Sequence, residues 1–344
     1  MADGAPPRLQ RIEDYPALLN EAWTQAHAPR DANAPTVIST FAGCGGSSLG
    51  YHMAGFRELL AVEWEQNAAD TFRLNFPHVP LYHGDIAKLS VDECLRLAGV
   101  KPGELTVFDG SPPCQGFSTS GRREIGDARN QLFREYCRLL EGLRPRAFVM
   151  ENVSGMVKGD FKVVFAEILR ALKRCGYRVK ARLLNAMFFG VPQSRERMIF
   201  VGVREDLGIE PSHPLGWSEP VTLRAALRGM PPPEPDTDIS RYAIGAEWHR
   251  LSVGAKSDKY LSLVRPRLDA PSPTLTKGAG SISLASVVHP TECRKFSSYE
   301  SASIASFPTA MRWLSWSSAL ERIGNSVPPL LMRSIAAHVR VLVS

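Results

Sequence analysis

Two rhythms of apolar and polar positions run along this 344-residue chain. From Thr36 to about Val203, short unbroken apolar runs alternate with longer stretches whose apolar residues recur at helical spacing. "TVISTFAG" predicts a buried strand stopped by glycine, "RELLAVE" a second strand ending at Glu63, and "ADTFRLNF" a helix. "LTVFDG" predicts a strand, "NQLFREYCRLLEGL" a helix ahead of Pro145, and "AFVMENV" another strand. "FKVVFAEILRALKRCG" is an amphipathic helix closed by Gly176, and "RMIFVGV" a further strand. Strands covered on both faces read as continuous apolar runs, and helices between them return the chain to lie parallel. The expectation is an α/β fold with a Rossmann-like, doubly wound, mostly parallel sheet.

Past Arg204 the rhythm breaks. "GIEPSHPLGWSEP" and "GMPPPEPDTD" are rich in proline, and serine, proline and glycine crowd the chain to about Ser303. This predicts a smaller, loop-rich region. In "ERIGNSVPPLLMRSIAAHVRVLV" a turn at Pro328-Pro329 opens a helix with Leu330, Leu331, Ile335 and Val339 on one face. The expected boundaries are an N-terminal extension over 1–35, a sheet domain over 36–204, a loop-rich domain over 205–310, and a C-terminal segment over 311–344 that returns to the sheet domain. The extension is expected to carry a flexible start and one short amphipathic helix, and is assigned no function.

Composition changes this picture little. No apolar run reaches the roughly 20 residues needed to span a bilayer, and the first residues lack a secretory pattern, so the expected location is the cytoplasm. The formal charge of +6, from 41 Lys+Arg against 35 Asp+Glu, permits a polyanionic partner without requiring one. None of the six cysteines forms a C-x-x-C pair, which argues against a zinc knuckle or dithiol site; no metal is expected.

Candidate chemistry gathers at predicted strand ends, where open α/β sheets place ligands. "FAGCGGSSLG" supplies a tight strand-to-helix turn through Gly43, Gly45 and Gly46, but Ser48 stands where a dinucleotide fingerprint needs its third glycine. Glu63, 20 residues after Gly43, could accept hydrogen bonds from both ribose hydroxyls. Trp64 could stack on a purine, and Asp85 in "HGDI" suits an adenine amino group. Such a set fits an adenosine without a diphosphate, and S-adenosyl-L-methionine better than a nicotinamide cofactor. In "DGSPPCQGFSTSG", Pro112 and Pro113 stiffen the chain up to Cys114, while the Gly116 to Gly126 segment reads as a mobile basic loop. A thiol held in this way at a strand end suits a nucleophile, and Glu151 at the end of "AFVMENV" suits its acid partner. Arg195 and Arg197 in "VPQSRERMIFVGV" alternate on a predicted strand, so both are expected to face one side and to need anionic partners.

Taken together, "FAGCGGSSLG", "AVEW", "GDI", "GSPPCQGFS", "ENV", "QSRERMIFVGV" and "RIGNSVPP" resemble, in order and spacing, the motifs of the C5-cytosine DNA methyltransferase family of prokaryotes and phages. The resemblance implies S-adenosyl-L-methionine as cofactor and S-adenosyl-L-homocysteine as product. It implies that Cys114 attacks carbon 6 of a flipped cytosine while Glu151 assists at ring nitrogen 3. Arg195 would orient Glu151 or contact the base, and Arg197 would help hold the covalent intermediate. Phe41, Ile86, Pro113 and Leu132 would join the glycines, Glu63, Trp64 and Asp85 around the cofactor, completed by Asn325 and Ser326. Gln115, Ser118, Arg122, Arg123, Thr274 and Thr276 would face double-stranded DNA, and the basic middle region would read base edges. The implied enzyme is a monomer, with a cognate restriction endonuclease as the partner such systems allow.

Two departures stand out. Ser303 and Ala305 replace an arginine and a glutamine usual in the motif before "SFP", and Ser39-Thr40 replace the usual Asp-Leu before the glycine loop. Rival readings stay open at this point: a tRNA cytosine methyltransferase of the same architecture, a non-catalytic DNA-binding relative, and a nicotinamide oxidoreductase.

Overall fold

The computed structural model describes residues 9–113, 128–157 and 161–344. In chain order the elements are α1 (Tyr15–His27), β1 (Thr36–Thr40), α2 (Gly46–Met53), β2 (Arg57–Glu63), α3 (Gln66–Asn75), β3 (Leu81–His83), α4 (Val91–Ala98) and β4 (Val107–Gly110). There follow α5 (Ala128–Leu143), β5 (Ala147–Val153), α6 (Phe161–Arg174), β6 (Tyr177–Asn185), β7 (Gln193–Ser194) and β8 (Glu196–Arg204). The remainder holds α7 (Leu223–Ala226), α8 (Ala243–Arg250), β9 (Ser272–Pro273), α9 (Ser298–Ile304), α10 (Trp316–Asn325) and α11 (Pro329–Val343).

The chain divides into two compact units. The sheet unit comprises Ala28–Leu184, Glu196–Pro214 and Arg333–Ser344. Its strands lie in the order β3-β2-β1-β4-β5-β8-β6. The pairs from β3 through β5 are parallel, while β8 runs antiparallel to β5. Ile38, Leu60, Phe108, Phe148 and Phe200 on one sheet face pack with Leu139, Leu140 and Leu143 of α5 and Leu172 of α6 into a dry core. The runs that looked apolar throughout are central strands. β6 went unpredicted because it is an edge strand, where the buried Tyr177 and Val179 alternate with Arg178 and Lys180.

The loop-rich unit holds the chain up to His27, Asn185–Arg195 and Leu215–Met332. One cluster of its core is Ile239, Ile244, Trp248, Leu263 and Val288, and Tyr15, Leu19, Phe296, Phe307 and Leu320 are buried in the same unit. Buried polar groups also hold it. Arg294 donates to both carboxylate oxygens of Glu300, at 2.7 and 2.8 Å, and Trp248 Nε1 donates to the His289 carbonyl at 2.9 Å.

This division differs from the expected boundaries. Helix α1 belongs to the loop-rich unit because Tyr15, Leu19 and Ala22 are buried there, with Tyr15 Oη donating to the Ser303 carbonyl at 2.9 Å. Residues 185–195 and α10 belong to the same unit, so the return to the sheet unit starts at Arg333 rather than at 311. Of the two departures, Ser303 is fully buried, and its Oγ donates to the Ala226 carbonyl at 2.7 Å. Ala305 is buried as well, closing α9 as its C-cap. Small side chains on α9 leave room for close packing within this unit.

Candidate active site

The glycine loop leaves β1 through an unusual backbone. Phe41 has φ 55°, Gly43 57° and Gly45 93°. A left-handed conformation is cheap for glycine and costs a residue with a side chain roughly 1 kcal/mol or more, so Phe41 is held there by its surroundings. Its ring packs on the core of the sheet unit. At Gly45 a Cβ would fall 2.2 Å from the Phe76 ring, so no other residue fits.

Glu63 finishes β2 opposite this loop. Its Oε2 accepts from the Gly43 amide at 2.7 Å, and its Oε1 from the Trp64 and Glu65 amides at 2.9 and 2.8 Å. The carboxylate expected to bind ribose therefore also shapes the glycine turn. Trp64 beside it is 69% exposed, the most exposed aromatic ring of this strand end and available for stacking. Asp85 accepts from the Ala87 amide at 2.9 Å, which turns the chain so that Ile86 is buried beneath it. Leu132 on α5 is half-buried against the same core.

The strand that leads toward Cys114 is β4. It ends at Gly110, and the chain runs through a buried Pro112 to an exposed Pro113. Cys114, Gln115, Ser118, Arg122 and Arg123 lie outside the described residues, as does the loop expected to be mobile. What precedes them is anchored: Asn152 Nδ2 donates to the Pro112 carbonyl at 3.1 Å. Asn152 thereby ties the chain just ahead of Cys114 to the strand end that carries Glu151.

Glu151 is buried, and Arg197 Nε lies 2.6 Å from its Oε1. The register explains the meeting. In the antiparallel β5–β8 pair Arg197 stands opposite Val153, two residues from Glu151 and on the same face. Arg197 Nη1 is also fixed by the Glu196 carbonyl at 2.8 Å. The outcome is a carboxylate at a strand end, oriented by a guanidinium.

The two arginines expected on one strand face do not share a strand. Arg195 sits at the break between β7 and β8 and belongs to the loop-rich unit, where it is buried. Its guanidinium donates to the carbonyls of Leu275 at 2.8 Å, Gly324 at 2.8 Å and Ser326 at 3.0 Å. It thus fastens "SPTLT" to "RIGNS". Thr274 Oγ1 donates to the Ser194 carbonyl at 2.7 Å, and Thr276 caps the turn at 277–280. There Gly324 of α10 lets helix and turn touch backbone to backbone: a Cβ would lie 2.3 Å from the Lys277 amide nitrogen. Asn325, exposed, and Ser326, half-buried, stand just past that contact. Among the basic residues of this unit, Arg265 is structural: its guanidinium lies 3.8 Å over the Trp248 ring and donates to the Pro290 and Leu251 carbonyls. Arg267 is held by Asp269 at 2.8 and 2.7 Å.

A sequence model of C-5 cytosine-specific DNA methylases matches residues 35–340. The chain belongs to that family. It is 35% identical to the Type II methyltransferase M1.HphI of Haemophilus parahaemolyticus, over 88% of this chain and 86% of that one. It is 31% identical to M.XorII of Xanthomonas oryzae pv. oryzae, over 89% and 84%. The fold matches a DNA modification methyltransferase encoded in an Escherichia coli prophage, with a TM-score of 0.75 at 24% identity, covering 90% of this chain and 99% of that one. It also matches a Spodoptera frugiperda DNMT2 variant, with a TM-score of 0.67 at 19% identity, covering 90% and 99%. Helix α1 lies ahead of the family match, yet is built into the loop-rich unit of this methylase-family chain. Among the described residues no helix is long and apolar enough to cross a membrane, and no group of three or more His, Cys, Asp or Glu side chains is arranged to hold a metal ion.

Proposed function

We propose that this family member transfers a methyl group to carbon 5 of cytosine in double-stranded DNA. The observation that carries the reading is the Glu151–Arg197 pair at the end of β5, joined through Asn152 to the chain that delivers Cys114. Carbon 5 of cytosine is too weak a nucleophile to be methylated unaided. Addition of the Cys114 thiolate to carbon 6, with Glu151 giving a proton to ring nitrogen 3, makes carbon 5 electron-rich. Once carbon 5 carries the methyl group its proton leaves, nitrogen 3 returns its proton to Glu151, and the sulfur–carbon 6 bond breaks to restore the thiolate. Arg197 fixes the Glu151 carboxyl for that exchange. The target must leave the duplex for Cys114 to reach carbon 6.

The strand ends fit S-adenosyl-L-methionine: a glycine turn that admits close approach, a carboxylate at the end of β2 and an exposed indole beside it. When bound there, that cofactor supplies an electrophilic sulfonium methyl. Glu63, Trp64, Asp85 and Phe41 would hold its adenosine. Thr274 and Thr276 are proposed DNA contacts. The protein is proposed to act as a cytoplasmic monomer, within or apart from a restriction system.

The test is transfer of labelled methyl from the cofactor to duplex DNA and, in parallel, to tRNA. Label in DNA is expected; label in tRNA alone would move the substrate to RNA.

A further inference from the structure

Asp109 is a fully enclosed carboxyl that the chemistry above leaves without a part. It lies on β4, 2% exposed, five residues ahead of Cys114. Tyr51 Oη donates to its Oδ1 at 3.2 Å. Tyr51 is on α2, the helix that the glycine loop opens. The main-chain carbonyl of Asp109 accepts from Thr40 Oγ1 at 3.0 Å, and Thr40 is the last residue of β1 before that loop. There is no slack at this crossing: a Cβ on Gly110 would lie 2.4 Å from Thr40 Oγ1 and 2.7 Å from the Tyr136 ring.

One residue therefore touches the end of the strand before the cofactor loop, the helix after it, and the strand that runs to the nucleophile. We propose that Asp109 is a positioning residue for methyl transfer, clamping the cofactor helix to β4 so that the glycine loop and the end of β4 hold a fixed spacing. This rests on the methyltransferase reading of the site. An apolar side chain would fill the space at lower cost, because burying a carboxyl is opposed by desolvation. Burial raises its pKa well above the ordinary carboxylate range, and Glu58 from β2 and Glu151 from β5 add to the rise. The neighbour of Asp109 in register on β1 is Ser39, so a carboxyl placed at 39 would stand one strand over.

The full-length protein is compared with Asp109→Ala, Asp109→Asn and the double variant Ser39→Asp/Asp109→Ser. Each is assayed well below its melting temperature, for S-adenosyl-L-homocysteine affinity by calorimetry and for kcat and KM with duplex DNA. Asp109→Ala is expected to weaken cofactor binding and lower kcat by about tenfold each, with KM for DNA within about twofold, the effect of losing one well-made buried hydrogen bond. Asp109→Asn, which can donate and accept, stays within about threefold of the parent, and the double variant recovers at least about half of the loss on a logarithmic scale. An alanine variant with parental affinity and kcat overturns the proposal. So does an asparagine variant as damaged as alanine. If alanine does not fold, asparagine and the double variant decide. Should the parent methylate no cytosine at all, the reading of the reaction fails, while the binding measurement still judges the clamp.

Discussion

Arg197 Nε and Glu151 Oε1 lie 2.6 Å apart, with both side chains largely withdrawn from solvent. A carboxylate paired this closely is oriented as well as charged, and in a water-poor site the orientation is what proton exchange with a base requires. Glu151→Gln keeps the shape but cannot give up a proton, so kcat should fall by about 10²-fold or more while duplex affinity is kept. Steady-state kinetics beside an equilibrium binding titration would show the split.

Removing the other partner asks more of the fold. Arg197→Ala leaves the buried Glu151 carboxylate without its cation, and such losses cost about 3–5 kcal/mol. Urea denaturation should show a lower midpoint for Arg197→Ala, and Arg197→Lys should recover part of it.

Arg195 is expected to behave differently. Its guanidinium serves three carbonyls of the loop-rich unit, those of Leu275, Gly324 and Ser326. Arg195→Met fills much of the volume and satisfies none of them. At about 1–3 kcal/mol for each buried acceptor left unpaired, the loss should reach at least about 3 kcal/mol. A lowered thermal midpoint is the expected observation.

Lys295 gives the pH prediction. It is fully enclosed, and its Nζ donates to the Leu284 carbonyl and Ser286 Oγ, each at 2.5 Å. Burial pulls its pKa from 10.5 down to about 8. Between these values the unfolded chain holds a proton that the folded chain has released, so this group makes stability rise with pH across that window. The gain is about 3 kcal/mol in total. Lys295→Met should flatten the rise in chemical denaturation curves taken from pH 7.5 to 10.5.

The N-terminal helix supplies a last contrast. Tyr15 is buried and bonds to the Ser303 carbonyl. Tyr15→Phe should cost about 1–2 kcal/mol for the acceptor left behind, and Tyr15→Ala about 3–5 kcal/mol for the cavity as well. Calorimetric unfolding of both variants separates the two contributions.

How much of this the chain discloses depends on the kind of signal. β1, β2, β4, β5 and β8 were legible because central strands must be apolar throughout, and α5, α6 and α11 because their buried stripes repeat at helical spacing. The edge strand β6 and the packing of α1 were not. An alternating Arg/Lys pattern on β6 resembles a solvated face, and what α1 packs against is set by distant partners. At the site, Glu63 and Glu151 were visible as carboxylates where strands stop. The different fates of Arg195 and Arg197 were hidden, since they turn on a strand break that the alternation conceals. Asp109 does not stand out inside "LTVFDG" because its meaning comes from Tyr51 and Thr40, both remote in sequence.

The central claim is that Cys114 and Glu151 put a methyl group on carbon 5 of cytosine in DNA. Duplex DNA incubated with the protein and S-adenosyl-L-methionine is digested to nucleosides and analysed by mass spectrometry, with Cys114→Ser in parallel. The account predicts 5-methylcytosine from the parent and none from Cys114→Ser. Methylation at an exocyclic amino nitrogen, or undiminished 5-methylcytosine from Cys114→Ser, would contradict it.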